Sequence, residues 1–378
     1  MFEKYQGQIN LFQVIEDEYR CQIHSINELF SNRFKSFIEC EVNGVGALCW
    51  IRYKDEQYLF KEIEEFEYNV WGELLSEEFA HLLGFPCASY RVAILGDRRG
   101  VVTKSFLKKD EVLRLGSEIF QRFMNHYQYS DESNLFDDKT FLELYQIPST
   151  FLPLDSYAQK KYIFFHLNNL DQVWSIIEDN KKIPVAECRA IILSLLNTLI
   201  FDILTLQLDR HPNNWGYRKT KDHYLPNILF DNQKSFGLGY RDMAKRTQDF
   251  KNEMLSKSFF QEHDHLKDYL YNQGLSFTLS VDNIKDNSLQ TKDNALKVFQ
   301  DLFQKSDDKI REMIIQIIQK IPDDFLESVI SKLEKKNEIV MSDDLYFYVN
   351  HLFSIHIKNI HEAIRLYYER STKNEQKF

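Results

Sequence analysis

The sequence predicts an α+β fold in two lobes, a small β-rich one followed by a large, mostly helical one. Residues 35–61 alternate and are rich in β-formers, whereas beyond Asp110 the apolar residues recur at helical spacing. Gly and Pro are few, 12 and 7 in 378 residues, which leaves little material for long flexible linkers. A chain of this length can build two cores.

Taken in order, Phe37–Val42 alternates and predicts a first strand. Asn43-Gly44-Val45-Gly46 predicts a turn, and Ala47–Tyr53 a second strand. The polar turn Lys54–Gln57 then precedes a short strand over Tyr58–Lys61. Helical spacing runs from about Tyr68 to Leu83 and stops at Gly84, with Pro86 beyond, as helices often end. Strands over Ser89–Leu95 and Gly100–Phe106, joined by Gly96–Arg99, complete the strand-rich part. Helices are expected over Glu118–Tyr127, Lys139–Tyr145, Leu170–Ile177 and the apolar run ending at Leu208. Helical character returns from about Ala295, notably over Ile310–Ile321 and Phe325–Leu333, while 130–138 and 261–268 read as exposed connections. The implied domains are an extension over 1–34, a strand-rich lobe over 35–110 and a helical lobe over 111–378.

The bulk properties narrow the function. A formal charge of −10 argues against a whole-chain electrostatic footprint for nucleic acid, so no direct nucleic-acid binding is expected. Cys21, Cys40, Cys49, Cys87 and Cys188 are scattered without a CxxC pair, which reads as buried thiols in a reducing compartment. The start, Met1–Gln6, lacks the pattern of a signal peptide. The most apolar stretch, Ala190–Leu208, carries Ser194, Asn197, Thr198, Asp202, Thr205 and Gln207, which fits a buried helix better than a membrane span. The expectation is a soluble cytoplasmic protein.

The chemistry concentrates in Asp209-Arg210-His211-Pro212-Asn213-Asn214-Trp215-Gly216, followed by Phe230-Asp231-Asn232. Phosphoryl transfer from ATP needs one carboxylate to position a hydroxyl nucleophile, and an amide plus a second carboxylate to hold magnesium. Asp209, Asn214 and Asp231 match those roles in type and order, although a polar loop with Asp209 as a cap would carry similar letters. The 17 residues from Asn214 to Asp231 leave room for one hairpin. His211 reads either as a catalytic base or as a loop residue that bonds the backbone. Upstream, the glycine turn with Asn43, Gly44 and Gly46 could bring amides to phosphates or be a plain hairpin turn. Lys61 could reach the same oxygens or belong to the charge run directly after it. Glu73 and Glu77, four apart and so on one helix face, are the alternatives for its ion pair.

With these residues in view, the chain resembles the HipA-like serine/threonine kinases of the protein-kinase-like superfamily. Tyr58–Lys61, the Glu73 helix closing with Ala80–Phe85, and Val101–Phe106 look like that family's small lobe. Asp209–Asn214 looks like its catalytic loop and Phe230-Asp231 like its metal aspartate. The likeness in layout runs over roughly residues 35–350, its motifs over a few dozen residues. It implies Lys61 on the ATP phosphates with Glu73 as partner, Thr103, Lys104 and Phe106 along the adenine, Asp209 as acid/base, and Asn214 and Asp231 on Mg2+. It also implies a protein substrate with a Ser/Thr hydroxyl and, since such kinases are often toxin components, a DNA-binding antitoxin partner. The turn at Asn43–Gly46 departs from the family's usual phosphate-loop sequence. The same catalytic segment is similar to that of phosphatidylinositol 3- and 4-kinases, which keeps a lipid acceptor as an alternative. A nucleotide-binding regulatory module is the non-enzymatic alternative.

Overall fold

The computed structural model describes residues 38–41, 48–53, 56–95, 98–119, 183–211, 213–239 and 294–375. The chain divides into two compact units. One takes its described residues from Met1–Lys108, Leu229–Lys257 and Ile317–His351, the other from Lys109–Ile228, Ser258–Gln316 and Leu352–Phe378. The expected turn at Asn43–Gly46, the first two residues of the expected turns Lys54–Gln57 and Gly96–Arg99, residues 120–127 of the expected helix over 118–127, the expected helices over 139–145 and 170–177, and the connections at 130–138 and 261–268 lie outside the described residues, whereas Glu56-Gln57 and Arg98-Arg99 are already strand.

The first unit is built on an antiparallel sheet of β1 (Ile38–Glu41), β2 (Leu48–Tyr53), β3 (Glu56–Glu62), β4 (Arg91–Leu95) and β5 (Arg98–Lys104), in the order β1-β2-β3-β5-β4. Side chains alternate between the two faces of a strand, so register decides what each face carries. Cys49 faces Phe60, Ile51 faces Tyr58, and Phe60 faces Val102. With Ala93 these form one buried cluster. Leu59, Lys61, Val101 and Thr103 therefore fall on the opposite face, where Leu59 pairs with Thr103 and Lys61 with Val101. Gly100 is required here, because a Cβ at that position would stand 2.0 Å from the Lys61 carbonyl oxygen.

Helix α1 (Phe66–Leu83) connects β3 to β4. It starts two residues before the expected Tyr68, entered through Glu65 in the left-handed region, and ends on left-handed Gly84, whose N–H bonds the Ala80 and His81 carbonyls. Trp71, Leu74, Leu75 and Phe79 are buried, and so are Glu73 and Glu77, so α1 is enclosed on nearly every side. Strand β4 begins at Arg91 and not at the expected Ser89. The Ser89 hydroxyl and the Tyr90 N–H donate to the Glu77 carboxylate, 2.7 and 2.9 Å, which takes that stretch out of the ladder.

The second unit holds β6 (Val112–Leu115), β7 (Gly216–Lys219) and β8 (Tyr224–Pro226) in a second antiparallel sheet, order β6-β7-β8. The hairpin expected between Asn214 and Asp231 is β7–β8. Strand β6 corrects the expectation that, apart from this hairpin, the chain is helical from Asp110 onward. Four residues show no usable period, and β6 exists because Leu113 meets Arg218 across a sequence gap too wide for local pattern to reveal. The apolar run forms helix α2 (Val185–Thr205), which packs on β7, β8 and α3 (Ala295–Lys305). By length and composition α2 is long and apolar enough to cross a membrane, yet most of its apolar stretch is buried in the protein. It is a buried helix of its unit. Among the described residues the further helices are α4 (Asp308–Ile318), α5 (Phe325–Asn337) and α6 (Asp343–Glu375).

His356 on α6 is fully buried, with its Nε2 2.7 Å from the Ile203 carbonyl. Burial drives its pKa down to about 4, and the bond to Ile203 only partly opposes that. The folded value lies below the unfolded one, so this histidine contributes stability above about pH 6.5 that is lost as pH falls toward 4. The full swing is on the order of 3 kcal/mol. His356→Gln keeps a donor for Ile203 without a titrating ring, and should show a flatter loss of stability between pH 6.5 and 4 in denaturant titrations. Equal slopes for the two proteins would assign the acid sensitivity elsewhere.

Candidate functional site

In the first unit three charged side chains meet although they come from distant parts of the chain. Lys61 of β3 places its ammonium 2.9 Å from Glu73 Oε1 and in direct contact with Asp231 Oδ1. Of the two glutamates that helix phase leaves open, Glu73 makes this pair. Glu77 instead binds Ser89 and Tyr90, with the Lys336 ammonium 3.7 Å away. Glu73 is fully buried and bridges two elements, since its Oε2 accepts the Asn232 N–H at 2.8 Å. Burial alone would lower the Lys61 pKa, but Asp231 and Glu73 outweigh it and hold the ammonium above its ordinary range. For Glu73 the balance goes the other way: burial, with Asp231 adding to it, keeps its pKa raised despite Lys61. The lysine is a fixed positive charge, and Asp231 keeps partial exposure.

The Asp231 segment is fixed from several directions. Leu229 bridges to Cys87, with bonds from Ala88 N to Leu229 O and from Leu229 N to Pro86 O, both 2.8 Å. The Asp231 N–H points to the Tyr90 hydroxyl at 3.4 Å, and the Asn232 amide reaches Cys87 Sγ at 3.7 Å. Tyr90 is buried beside two carboxylates, and burial first, then Glu73 and Asp231, push its pKa well up, so it stays a neutral phenol. Asp231 itself has φ 56, a left-handed backbone that costs a non-glycine residue energy and that Asp tolerates better than most. Gly72 of α1 lets the backbone at Gln233 approach the helix closely. A Cβ at Gly72 would lie 2.2 Å from the Gln233 carbonyl oxygen. Composition hid Gly72 and Tyr90, but a lone glycine inside a helical pattern was the signal available for the first.

Strand alternation sorts the residues expected along adenine. Thr103 shares the face of Lys61 and is buried, its hydroxyl 3.2 Å from the Lys104 carbonyl. Lys104 lies on the other face and pairs with Glu56 at 3.1 Å. Phe106 stacks on Phe230 with ring centroids 5.8 Å apart, which ties the end of β5 to the residue before Asp231. Phe230 thus joins this set. Asn43, Gly44 and Gly46 lie outside the described residues.

In the second unit the loop after α2 is organised by a residue pair that no motif announces. Asp202 and Arg210 are both fully buried, and the guanidinium reaches the carboxylate by three contacts of 2.9–3.2 Å. Arg210 Nη1 also donates to the Asn214 carbonyl at 2.9 Å. The Asn214 side-chain amide donates to the Asp209 carbonyl at 2.8 Å, which turns its Oδ1 away from that carbonyl. Leu206 ends α2 in the left-handed region, and Gln207 Oε1 accepts the Asp209 N–H at 3.1 Å. Asp209 is exposed and Asn214 is buried. His211 accepts the Asn213 N–H on Nδ1 at 3.2 Å, so its observed role is a backbone bond within the loop. Asp202 was visible as an acid in an apolar run, the one cue to a buried ion pair.

Burial raises the Asp202 pKa to about 6 against the opposing pull of Arg210. Among the described residues no three His, Cys, Asp or Glu side chains gather as a metal cluster. Magnesium asks for less. It keeps most of its waters and phosphate ligands and takes one or two hard protein oxygens, which a carboxylate and an amide oxygen supply. The Asp231 carboxylate of the first unit and the Asn214 amide oxygen of the second are each, taken singly, donors of that hard type.

No protein-family model and no curated protein sequence matches the chain. Solved structures do. The crystal structure of the Helicobacter pylori proinflammatory kinase CtkA aligns over 86% of this chain and 96% of its own, with 15% identity and a TM-score of 0.55. The HipA toxin–antitoxin complex of Shewanella oneidensis aligns over 94% and 71%, at 11% identity and a TM-score of 0.43. A Plasmodium vivax ethanolamine kinase aligns over 86% and 84%, at 14% identity and a TM-score of 0.23. The first of these carries the fold: a mixed α and β chain with small antiparallel sheets and many helices, similar to a kinase.

Proposed function

We propose that the protein is an ATP- and magnesium-dependent phosphotransferase that acts on a serine or threonine hydroxyl of a protein. The observation that supports it is the part-buried cluster in which the Lys61 ammonium meets both Glu73 and Asp231, the latter 170 positions away in the chain. A cationic side chain oriented by one carboxylate and adjoining a second is what a polyphosphate and its metal need. In this reading 35–110 is the kinase N-lobe, 111–378 the helical C-lobe and 1–34 an extension. Lys61 binds the phosphates, Glu73 orients it, and Thr103, Lys104 and Phe106 lie along the adenine. The turn at Asn43, Gly44 and Gly46 supplies backbone amides.

Asp209 receives the proton of the substrate hydroxyl as that oxygen attacks the γ-phosphorus. The bond from phosphorus to the bridging oxygen breaks, and ADP leaves with the electron pair. Asn214 and Asp231 would hold magnesium, which neutralises charge on the phosphates when bound. His211 shapes the loop that presents Asp209. The resemblance that supports the kinase reading extends it to a cytoplasmic toxin with a small DNA-binding antitoxin, and a helix-turn-helix protein encoded beside this gene would favour that extension.

The test is radiolabelled ATP with purified protein, offered to cell lysate and to phosphoinositide vesicles. Transfer to protein is the expected result. Asp209→Asn preserves size and loses charge, so ATP should still bind while transfer falls by a factor on the order of 10² or more. Transfer to lipid and never to protein would replace this reading with a lipid kinase. No transfer to either, with ATP bound normally, would leave a regulatory nucleotide-binding module.

A further inference from the structure

We propose that the segment from Lys320 to Met341 is an in-chain positioning device for Glu73, one that sets the Lys61–Glu73 pair without a separate activator. The proposal rests on the reading of that pair as the phosphate-binding pair. Helix α5 lies against α1, the helix that carries Glu73. The contact is built at several points and not by apolar burial alone. Phe325 packs on Phe79 of α1, centroids 5.1 Å apart, and Phe79 meets Phe236 edge-on at 5.7 Å. Phe79 is thus gripped between α5 and the stretch just beyond Asp231.

Charge reinforces the grip along α1. Lys332 pairs with Glu78 at 2.6 Å, and Lys336 lies 3.7 Å from Glu77 and 3.9 Å from Glu78. Glu77 is one turn beyond Glu73 and buried, so Lys336 gives a buried carboxylate the positive charge it needs. The Lys320 ammonium donates to the Leu83 carbonyl at 3.2 Å, a cation at the C-terminal end of a helix. Asn337 accepts the N–H of Val92 on edge strand β4 and donates to Leu333, so α5 is also fastened to the sheet. Beyond the segment, the Tyr348 hydroxyl donates to the Gly237 carbonyl at 2.7 Å. Both carboxylate partners of Lys61 are therefore braced by residues 320–348. Holding a reacting group in place before substrate arrives is how remote packing lowers a barrier.

Phe325, Lys332, Lys336 and Asn337 are positioning residues in this account, since they act through Glu73. The Asn232 N–H reports on Glu73 directly, because it donates to Glu73 Oε2. The experiment compares amide hydrogen exchange at Asn232 in Phe325→Leu with that in Phe299→Leu, a buried phenylalanine of the other unit used as a control for general destabilisation. Exchange at Asn232 should speed by about tenfold in the first and stay near the unmodified rate in the second. The KM for ATP should rise in parallel in Phe325→Leu only. Equal exchange in the two variants would reduce the segment to ordinary packing and overturn the proposal. Should Phe325→Leu fail to fold, Lys332→Glu with Lys336→Glu sets like charges against Glu77 and Glu78 and is read the same way, unchanged exchange being the overturning result. If the unmodified protein binds no ATP, the phosphotransferase reading falls while the exchange comparison still decides the positioning role.

Discussion

Asp231→Ala is expected to abolish magnesium-dependent turnover of ATP, by a factor on the order of 10³ or more, while leaving the protein folded. Lys61 carries one positive charge between two carboxylates. Removing Asp231 leaves a neutral Lys61–Glu73 pair and no uncompensated buried charge. Alanine in the left-handed region costs about 1–2 kcal/mol, which a protein of this size tolerates. The bonds from Glu73 to Asn232 and from Leu229 to residues 86–88 do not involve the lost side chain, so the segment keeps its path. What disappears is the hard oxygen beside Lys61, which the phosphotransferase reading assigns to magnesium. Turnover with and without magnesium, with a thermal unfolding curve alongside, checks it. Turnover equal to the unmodified protein would remove Asp231 from the site, and a collapsed unfolding transition would show the residue to be a structural support.

Arg210→Ala should cost about 3–5 kcal/mol of stability, more than a typical point substitution. It strands the fully buried Asp202 carboxylate and deprives the Asn214 carbonyl of its donor. Asp202 already sits at about 6 with Arg210 present, and its loss removes the one influence that lowers that value. A carboxyl raised in the folded state contributes stability that is complete below about pH 4 and is lost as pH rises through about 6. The variant's deficit should therefore shrink on acidification, where Asp202 takes its proton in both proteins. Denaturant midpoints at pH 4.5 and 7.5 read the difference, and a deficit that grows toward acid would contradict it. Arg210→Met with Asp202→Leu separates the two jobs of the pair. Apolar replacement should recover most of the stability, while the loop from Asp209 to Asn214 loses its anchor and transfer stays low.

How much of the fold and the site was legible in the sequence depends on the range of the forces involved. Strands β2 to β5 and helix α1 were readable because alternation, a 3.6-residue period and the Gly84 stop are local signals. The hairpin β7–β8 was readable from its length alone. Strand β6 was not, since its pairing with β7 is long-range. Residue types and order in Asp209–Asn214 and at Asp231 suggested a chemistry, while Lys61 stayed open between that role and its charge run until the fold brought it to Glu73 and Asp231. The choice of Glu73 over Glu77 could not be made on helix phase, because both lie on one buried face. Ser89 and Tyr90 settled it by claiming Glu77. Thr103 and Lys104 are neighbours on one strand and so point to opposite faces, but which of them shares the face of Lys61 is set by the pairing of β3 with β5. Gly72 and Tyr90 act through contacts with distant backbone, and the lone glycine and the Asp202 acid in an apolar run flag only that something is there, not that Gln233 or Arg210 is the partner.

Helix α2 has a consequence at the ribosome. A segment this long and apolar is a candidate for the translocation machinery, which reads hydrophobicity before any tertiary contact exists. An aspartate near the middle of such a segment counts against insertion by about 2.5–3.5 kcal/mol, and less toward its end. Asp202 lies three residues from the end of α2, with Glu187 and Arg189 near its start, so the penalty is modest and shared among few residues. The carboxylate that anchors Arg210 in the folded state therefore also bears on which cellular route the nascent chain takes. Asp202→Leu, which this core accepts only together with Arg210→Met, would weaken that discrimination and tilt the segment toward being read as a membrane anchor.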